Sequence, residues 1–335
     1  MLQIPKIFLD NFAHEVYVLD AHTIDRDEHN HHVNIWHALN STHNWVLFSS
    51  FAVLIAALFA YALYLRFQPV FQNIGKRIDK TTTIAPDVIR LAFGASLLFS
   101  ASHDALFGPE LPLHGLFADK LIKVCLWVCG TGLIVGLWSR VWSWIVIAIW
   151  TLALLLKGPY LLTYSNYLGE AIAVILLPIQ KMSVDGQMIG KAKAAKLMKH
   201  AWLSMPIARL LFALSLAYTA ISVKFMDTSL TLDVVNHYHL TRFFPFDPLF
   251  VVLGAALIEV TVALLYLSGI LLRFTSVIFL VVMSLSLMFF KESVWPHYLL
   301  IALGIGLFLH KPDDWSVDAY LGKSKKLAKL FRKTK

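Results

Sequence analysis

Apolar residues are gathered along the chain into long blocks, and short polar segments separate one block from the next. Each block holds about 16–22 residues, which as an α-helix is long enough to cross roughly 30 Å of hydrocarbon. The pattern therefore predicts membrane-spanning helices. The nine candidate spans lie at about residues 45–65, 87–106, 121–138, 141–156, 165–180, 206–223, 248–267, 271–290 and 296–310.

The composition favours a membrane protein over a soluble one. Hydrophobic residues make up 58% of the 335 residues, charged residues make up only 15%, and the mean hydropathy is +0.66. Soluble domains are usually about 45–50% apolar, and the polar segments here are too short to build a sizeable soluble domain. We therefore predict an all-α integral membrane protein with about nine transmembrane helices.

The distribution of charge predicts the orientation of the chain. With nine spans, alternate loops lie on opposite sides, and most of the 29 Lys and Arg residues fall on the side of the C-terminus. Basic loops stay in the cytoplasm, so the N-terminus is expected outside and the C-terminus inside, as in a bacterial-type inner membrane. The net charge of +8 then reflects orientation and attraction to anionic membrane lipid, and no nucleic-acid partner is expected.

Spans two to five and spans six to nine resemble each other as two copies of one unit. The offset is 119 residues in the first helix (90 to 209) and 133 from the second helix onward (136 to 269), so the second copy carries 14 extra residues in between. Each copy has an even number of spans, and both therefore run in the same direction. The matching segments are RLAFGASLLFSA (90–101) with RLLFALSLAYTA (209–220), GLWSRVWSWI (136–145) with GILLRFTSVI (269–278), and MSVDGQMIG (182–190) with WSVDAYLG (315–322).

We predict two parallel-repeat four-helix bundles preceded by one extra helix. Grooves between the helices are expected to open outward or to lipid, with an outer-half cavity that collects the polar residues of the spans. The predicted divisions are an outer histidine-rich arm (1–44), an extra helix with a cytoplasmic linker (45–85), a first four-helix unit (86–190), a second four-helix unit (191–322) and a basic cytoplasmic tail (323–335).

The second copy contains ARLLFALSLAYTAISVKF, ALIEVTVALLYLSGILLR and WSVDAYLG. On these segments it resembles the DoxX family of small four-helix membrane proteins, and the resemblance extends over residues 86–322. The first copy departs from the family pattern, with Leu126 in the place of a Glu and Ala105 in the place of a Lys. The matching residues are Arg209, Lys224, Glu259, Gly269, Arg273 and Asp318 in the second copy, and Arg90, Gly136, Arg140 and Asp185 in the first.

The resemblance implies membrane quinone chemistry beside another subunit. DoxX-like proteins include the membrane subunit of a thiosulfate:quinone oxidoreductase, and others accompany redox enzymes. The chain shows no haem, flavin or iron–sulfur motif, so electrons are expected from a protein partner. Its own contribution would be an apolar slot, a hydrogen bond to a quinone oxygen and a path for protons.

Two acidic residues lie inside predicted spans, where a charge at the helix centre costs roughly 2.5–3.5 kcal/mol. Glu259 lies near mid-bilayer, and Glu170 lies just below the outer surface. Each is a candidate proton donor or acceptor beside a reducible headgroup. The alternative is a neutral Glu that hydrogen-bonds across helices or pairs with a Lys for folding. Because the position equivalent to Glu259 is Leu126, the fold itself does not require an acid there.

Three further candidate catalytic residues lie near the predicted outer interface. His103 and Asp104 end the first helix of the first copy. A histidine can pass protons or bind metal near neutral pH, but both residues can equally be a polar cap on the helix. Lys224 ends the matching helix of the second copy, where it can extend toward the interface or pair with Glu259.

Trp127 and Trp150 lie nearer to helix interiors than the other aromatic residues of the first copy, which form an interfacial belt. These two are the candidates for flanking a planar cofactor ring. Cys125 and Cys129 share one helix face, but side chains so placed rarely meet the geometry of a disulfide. We interpret them as small buried residues.

The outer arm is rich in histidine, with half of the 14 histidines in residues 1–44. Such tracts can bind zinc or copper, and the candidate ligands are His29, His31 and His32. Their run, HNHH, lacks the spacing that defines a metal site. A solvated arm that binds metal weakly is the alternative.

We therefore expect a quinone-interacting membrane subunit of a redox complex, and whether the chain is itself catalytic stays open. The alternative, from another class, is a non-enzymatic membrane scaffold or a metal-handling protein that uses the histidine-rich arm. Bound quinone would favour the first hypothesis, and stoichiometric copper or zinc would favour the second.

Overall fold

The computed structural model describes residues 33–113, 117–177, 180–189, 196–290 and 295–323. Apart from an isolated antiparallel bridge between Ala105 and Pro112, these residues contain no β-structure. The predicted all-helical class is confirmed. The α-helices, numbered in chain order, are α1 (Thr42–Arg66), α2 (Pro69–Ile78), α3 (Ala85–Ser102), α4 (Phe117–Val135), α5 (Ser139–Lys157), α6 (Ser165–Leu176), α7 (Val184–Met188), α8 (Ser204–Thr219), α9 (Thr228–His237), α10 (Pro248–Ser268), α11 (Leu272–Phe290), α12 (Trp295–Leu309) and α13 (Val317–Lys323).

Several of the described helices are long and apolar enough to cross a membrane. A further candidate span joins α2 and α3, which are bent by 58° at their junction. The helices are those of a multi-pass membrane protein, while the number of nine spans stays a prediction. The four single candidates are Thr42–Arg66, Ser139–Leu176, Ala201–Phe225 and Pro248–Ser268, and two shorter apolar helices cover Leu272–Met288 and Trp295–Leu309.

The stretch Ser139–Leu176 is folded back on itself. Arg140 Nε donates a hydrogen bond to the carbonyl oxygen of Ile175 at 2.9 Å, although one continuous helix would separate these residues by about 50 Å. The chain reverses in a 3-10 helix between α5 and α6. Arg273 and Phe308 make the matching contact between α11 and α12, at 3.2 Å. Each of these helix pairs is therefore an antiparallel hairpin.

Two buried arginines hold the helices together at one end of the bundle, which we call the arginine end. Arg209 in α8 is fully buried and binds Asp313 through Nε at 2.8 Å and Nη2 at 3.1 Å. Its Nη1 donates to carbonyl groups near the end of α10, including that of Leu267 at 2.8 Å. Arg90 in α3 binds the end of α4 in the same way. Its Nη1 donates to the Ile134 carbonyl oxygen at 2.9 Å. Carbonyl groups that lack a partner within their helix are thereby satisfied.

A tight turn at the arginine end joins α10 to α11, and an aspartate holds it. Gly269 has a φ of +66° and Leu271 has a φ of +51°. Asp318 accepts hydrogen bonds from the N–H groups of Leu271 and Leu272, both at 2.9 Å. Asp185 holds the turn between α4 and α5 through two such bonds at 3.0 Å. Arginine and aspartate residues thus fix both turns.

Substitution of Gly269 by alanine is expected to lower the free energy of unfolding by roughly 1–3 kcal/mol, the usual range for a strained backbone conformation. A Cβ there would lie 2.6 Å from Ser316 Cβ, in addition to the positive φ. Gly254 in α10 is the matched control, since its Cβ would meet nothing within 4 Å. Alanine at Gly254 should raise stability by up to about 1 kcal/mol. Thermal unfolding in detergent measures both variants, and equal melting temperatures would contradict this account of the turn.

The bundle has two halves, α3–α6 and α8–α12, and the first helix of each half packs against the last helix of the other half. The helix α3 packs against α12, and α8 packs against α6. Small residues permit the close approach, because a Cβ at Gly306 would lie 2.7 Å from Ile89 and a Cβ at Gly169 would lie 2.9 Å from Leu211. Ser165 Oγ also donates to the Leu211 carbonyl oxygen at 2.9 Å. Close packing at small residues and hydrogen bonds between helices are the usual means of association inside a membrane.

The opposite end of the bundle, which we call the loop end, includes residues 103–113 and 226–247. Here a 3-10 helix that precedes α1 buries Ile35, Ala38 and Leu39 against α9 and α10. By contrast, α1 is largely exposed, and Ala62 is its buried residue. Its apolar surface is suited to contact with lipid.

Candidate functional site

An ion pair joins two of the predicted site residues. Lys224 Nζ lies 2.9 Å from Glu259 Oε2, with the lysine side chain 9% exposed and the glutamate side chain 36% exposed. Both residues belong to candidate membrane spans, Ala201–Phe225 and Pro248–Ser268. The sequence left this pairing open, and the structure shows it.

Lys224 is positioned by a turn of π-helix that follows α8. The π-helix covers Ala220–Phe225, and its wider turn includes the hydrogen bond from the Met226 N–H to the Ile221 carbonyl oxygen at 3.1 Å. Thr228 Oγ1 then donates to the Lys224 carbonyl oxygen at 2.9 Å. Turns of π-helix are frequent at functional sites, and this one packs against α10, where the partner of the lysine lies.

The ion pair is asymmetric, because the ammonium group is buried and the carboxylate reaches the surface of the bundle. Charges inside a membrane are tolerated when they pair with each other. The same helix carries exposed apolar side chains near Glu259, including Ile258 and Leu264. The carboxylate is therefore open to the surroundings of the bundle, while the lysine stays covered.

Glu170, the second predicted membrane acid, is completely buried in α6. Neither of its carboxyl oxygens has a hydrogen-bond partner among the described residues. The helices α3, α5 and α8 pack around α6, so this acid is enclosed by protein. Its surroundings differ from those of Glu259, whose side chain is 36% exposed.

His103 and Asp104 lie at the end of α3, on the surface of the loop end. The His103 ring stacks on Trp295 with centroids 4.8 Å apart, and its Nδ1 lies 2.9 Å from the Phe99 carbonyl oxygen. Asp104 forms an ion pair with Lys123 at 2.6 Å, in which the side chains are 60% and 36% exposed. These contacts fit a helix end and a surface ion pair, which is the alternative that the sequence left open.

The structure therefore brings together two of the five predicted acid–base residues. Lys224 and Glu259 form one unit, and Glu170 is enclosed in the bundle. His103 and Asp104 make separate contacts at the loop end. We take the Lys224–Glu259 pair as the candidate site.

The two tryptophans predicted to flank a ring lie in different surroundings. Trp150 is buried in the core, and its indole N–H donates to the Tyr164 carbonyl oxygen at 3.0 Å. Trp127 in α4 is exposed. Cys129 is buried, Cys125 is half-buried, and both thiols are free. Trp150 thus lies in the core and Trp127 at the surface, and their role in flanking a planar ring stays a prediction.

The predicted metal ligands of the outer arm, His29, His31 and His32, lie outside the described residues. Within the parts of the chain that the structure describes, no group of three or more His, Cys, Asp and Glu side chains is placed to hold a metal ion. The zinc or copper site of the arm stays a prediction.

A buried acid at the loop end was not among the predicted site residues. Glu110 lies in the loop after α3, and its Oε1 accepts hydrogen bonds from the hydroxyl groups of Tyr160, at 2.7 Å, and Tyr164. Burial raises the pKa of its carboxyl group, and the hydrogen bonds from Tyr164 and Tyr160 oppose this with a smaller effect. The signal in the sequence is an acid set among apolar and turn residues, LFGPELPL (106–113).

Comparison with known proteins adds no assignment, because no family model, no curated protein and no solved structure matches the chain. The resemblance to the DoxX family rests on the segments quoted above. Function is therefore argued from the site itself.

Proposed function

We propose that this protein binds a membrane quinone at the Lys224–Glu259 pair, as the membrane component of a redox system. One observation carries the proposal: a buried ammonium group lies 2.9 Å from a carboxylate that is exposed at the surface of the bundle. Ionisable residues inside spans are costly, and they commonly mark substrate sites and proton paths. The partial exposure of this pair at an apolar surface favours a ligand that dissolves in the membrane.

The two side chains complement the chemistry of a quinone headgroup. The carboxyl side of the pair faces the headgroup, so Glu259 in its protonated form donates a hydrogen bond to a quinone carbonyl oxygen, and the ammonium group of Lys224 behind it stabilises the negative charge that develops on reduction. Glu259 then transfers its proton to that oxygen and is left as a carboxylate paired with Lys224. The other quinone oxygen takes the second proton from water, which also returns a proton to Glu259, and both electrons come from a partner protein.

We further propose that the chain consists of two DoxX-like four-helix units after one extra helix. Matching contacts support this proposal. Arg90 and Arg209 each bind the final carbonyl groups of the next long helix, and Asp185 and Asp318 each hold the turn that follows it. Leu126 is fully buried at the position of the first unit that would correspond to the acid, so the ion pair belongs to the second unit.

We also propose nine spans, with the N-terminus outside and the C-terminus in the cytoplasm of a bacterial-type cell. The contacts at the arginine end support this orientation. Arg66 binds Asp318, and Arg273 binds Asp79 at 2.5 Å, next to the fully buried Arg209. Basic residues concentrate on the cytoplasmic side of membrane proteins, where they also meet anionic lipid.

Photolabelling of the purified protein in lipid nanodiscs, with a photoreactive quinone, tests the proposed site. Peptide mapping should place the label on Ala201–Phe225 and Pro248–Ser268, which are the helices of the ion pair. An excess of unmodified quinone should prevent the labelling. Label that resists competition, or that falls instead on the open apolar face of α11 around Val281, would contradict the proposal.

A further inference from the structure

The short helix α2 connects the candidate span α1 to α3, at the arginine end of the bundle. It begins at Pro69, with Gln68 as its N-cap, and it is bent by 58° from α3. Arg273 Nη1 donates to the Gly75 carbonyl oxygen at 3.1 Å, and Arg273 also pairs with Asp79 at 2.5 Å. Since Arg273 belongs to the first turn of α11, α2 lies level with the end of that helix.

The apolar side chains of α2 lie on one side of the helix, and this side is not packed on the bundle. At about 3.6 residues per turn, Val70, Phe71 and Ile74 share one side, and all three are exposed. The bundle meets α2 on a different side, because a Cβ at Gly75 would lie 3.2 Å from Arg273 Nη1. The apolar side of α2 is therefore left open.

The exposed charge of this segment is positive. Lys76, Arg77 and Lys80 are all exposed, and the acid among them, Asp79, is paired with Arg273. Long basic side chains can cover apolar surface with their stems while their charged ends stay in water. Each basic residue close to an anionic membrane surface strengthens the attraction about fivefold. The charge of α2 therefore complements that of anionic lipid.

The place of α2 in the chain favours a membrane surface as the partner of its apolar side. Only Phe67 and Gln68 separate it from the end of the candidate span Thr42–Arg66, so it starts where a span leaves the hydrocarbon. With 10 residues it is about 15 Å long, too short to cross about 30 Å of hydrocarbon. An apolar side with basic residues beside it is typical of a helix that lies in the plane of the membrane interface.

We propose that α2 is a lipid-docking helix, which lies in the headgroup layer of an anionic phospholipid membrane at the arginine end. Its apolar side contacts the acyl chains, and its basic residues bind the phosphate groups of the lipid. The contacts of Arg273 join the docked helix to the start of α11. The proposal does not depend on the quinone site, since Lys224 and Glu259 lie on other helices.

Spin labels on single cysteines test the position of α2 in the purified full-length protein in nanodiscs. Alanine first replaces the natural cysteines, Cys125 and Cys129. Phe71→Cys and Ile74→Cys place the label on the apolar side, Asn73→Cys places it on the polar side, and all three keep the basic residues. In nanodiscs that contain phosphatidylglycerol, the two apolar-side labels should collide mainly with oxygen, which dissolves in the membrane. The Asn73→Cys label should collide mainly with a water-soluble nickel complex.

The triple variant Lys76→Gln/Arg77→Gln/Lys80→Gln, labelled through Ile74→Cys, tests the role of charge. Loss of three basic residues should weaken the attraction to an anionic surface about a hundredfold, at about fivefold for each residue. The label should therefore lose most of its excess of oxygen collisions. Nanodiscs of phosphatidylcholine alone should have the same effect on the unchanged helix. Arg242→Gln, which removes an exposed basic residue of the loop end, is the control and should leave the label in place.

Four results would each overturn the lipid-docking proposal. Collisions of the Ile74→Cys label mainly with the nickel complex would place the apolar side of α2 in water. Collisions with neither reagent would mean that protein covers this side, for example a second copy of the chain. Equal exposure of the Asn73→Cys and Ile74→Cys labels to oxygen would mean that α2 enters the hydrocarbon as part of a broken span. An unchanged label in the triple variant would show that anionic lipid does not hold the helix.

Discussion

Replacement of Arg209 by leucine is expected to lower the free energy of unfolding by about 3–5 kcal/mol, because it removes one partner of a buried ion pair. Arg209 is fully buried and binds Asp313 at 2.8 and 3.1 Å. Leucine would leave a buried carboxylate without its counter-charge. It would also leave carbonyl groups near the end of α10 without their donor. Unfolding in detergent, followed by circular dichroism, measures the change.

The variant Arg242→Leu is the matched control for this experiment. Arg242 is exposed, between α9 and α10, and substitutions at such surface positions usually change stability by less than about 0.5 kcal/mol. If Arg209→Leu proved as stable as Arg242→Leu, the buried guanidinium group would not be what holds the arginine end together.

Replacement of Glu259 by leucine alone is expected to lower stability by about 1–3 kcal/mol, the usual cost of leaving a buried polar group without its partner. The group concerned is the ammonium group of Lys224, whose side chain is only 9% exposed. Leu126 is at the position that matches Glu259 under the offset of 133, which indicates that a leucine side chain fits the space available there. The ion pair indicates that the unpaired charge of Lys224 determines the stability of Glu259→Leu. Thermal unfolding of the purified variant in detergent measures the loss.

The double variant Lys224→Met/Glu259→Leu should recover most of that stability. Replacing both members of a buried ion pair by apolar side chains is often neutral or stabilising. With Lys224→Met as the second single variant, the four proteins form a double-mutant cycle that isolates the interaction between the two side chains. An interaction energy of zero would mean that the two groups do not stabilise each other in the folded protein.

The helices were predictable because they depend on long apolar blocks and on the residues that interrupt them. The predicted span 248–267 corresponds to α10, Pro248–Ser268. The predicted span 206–223 lies within the candidate span Ala201–Phe225. The apolar pattern cannot show that the end of this stretch is a π-helix, since the hydrogen-bond register leaves no mark in the hydropathy.

The candidate site was predictable only in part, because it depends on contacts between distant segments. Lys224 and Glu259 were both candidates as charged residues in apolar surroundings, but their pairing is a property of packing. Glu110 was missed because its burial depends on Tyr160, which lies 50 residues further along the chain. The hydrogen bond from the Trp150 indole to the Tyr164 carbonyl oxygen likewise depends on the fold, since it joins α5 to the 3-10 helix that follows it.

The quinone content of the double variant Lys224→Met/Glu259→Leu tests the proposed site most directly, because this variant lacks both charges and is expected to keep most of the wild-type stability. Mass spectrometry of lipid extracts from purified protein gives the ratio of quinone to protein. The double variant Lys123→Met/Asp104→Asn removes the exposed ion pair of the loop end and serves as the control. We expect quinone to be retained by the wild type and the control and lost from Lys224→Met/Glu259→Leu. Equal quinone in all three proteins would contradict a quinone site at Lys224 and Glu259.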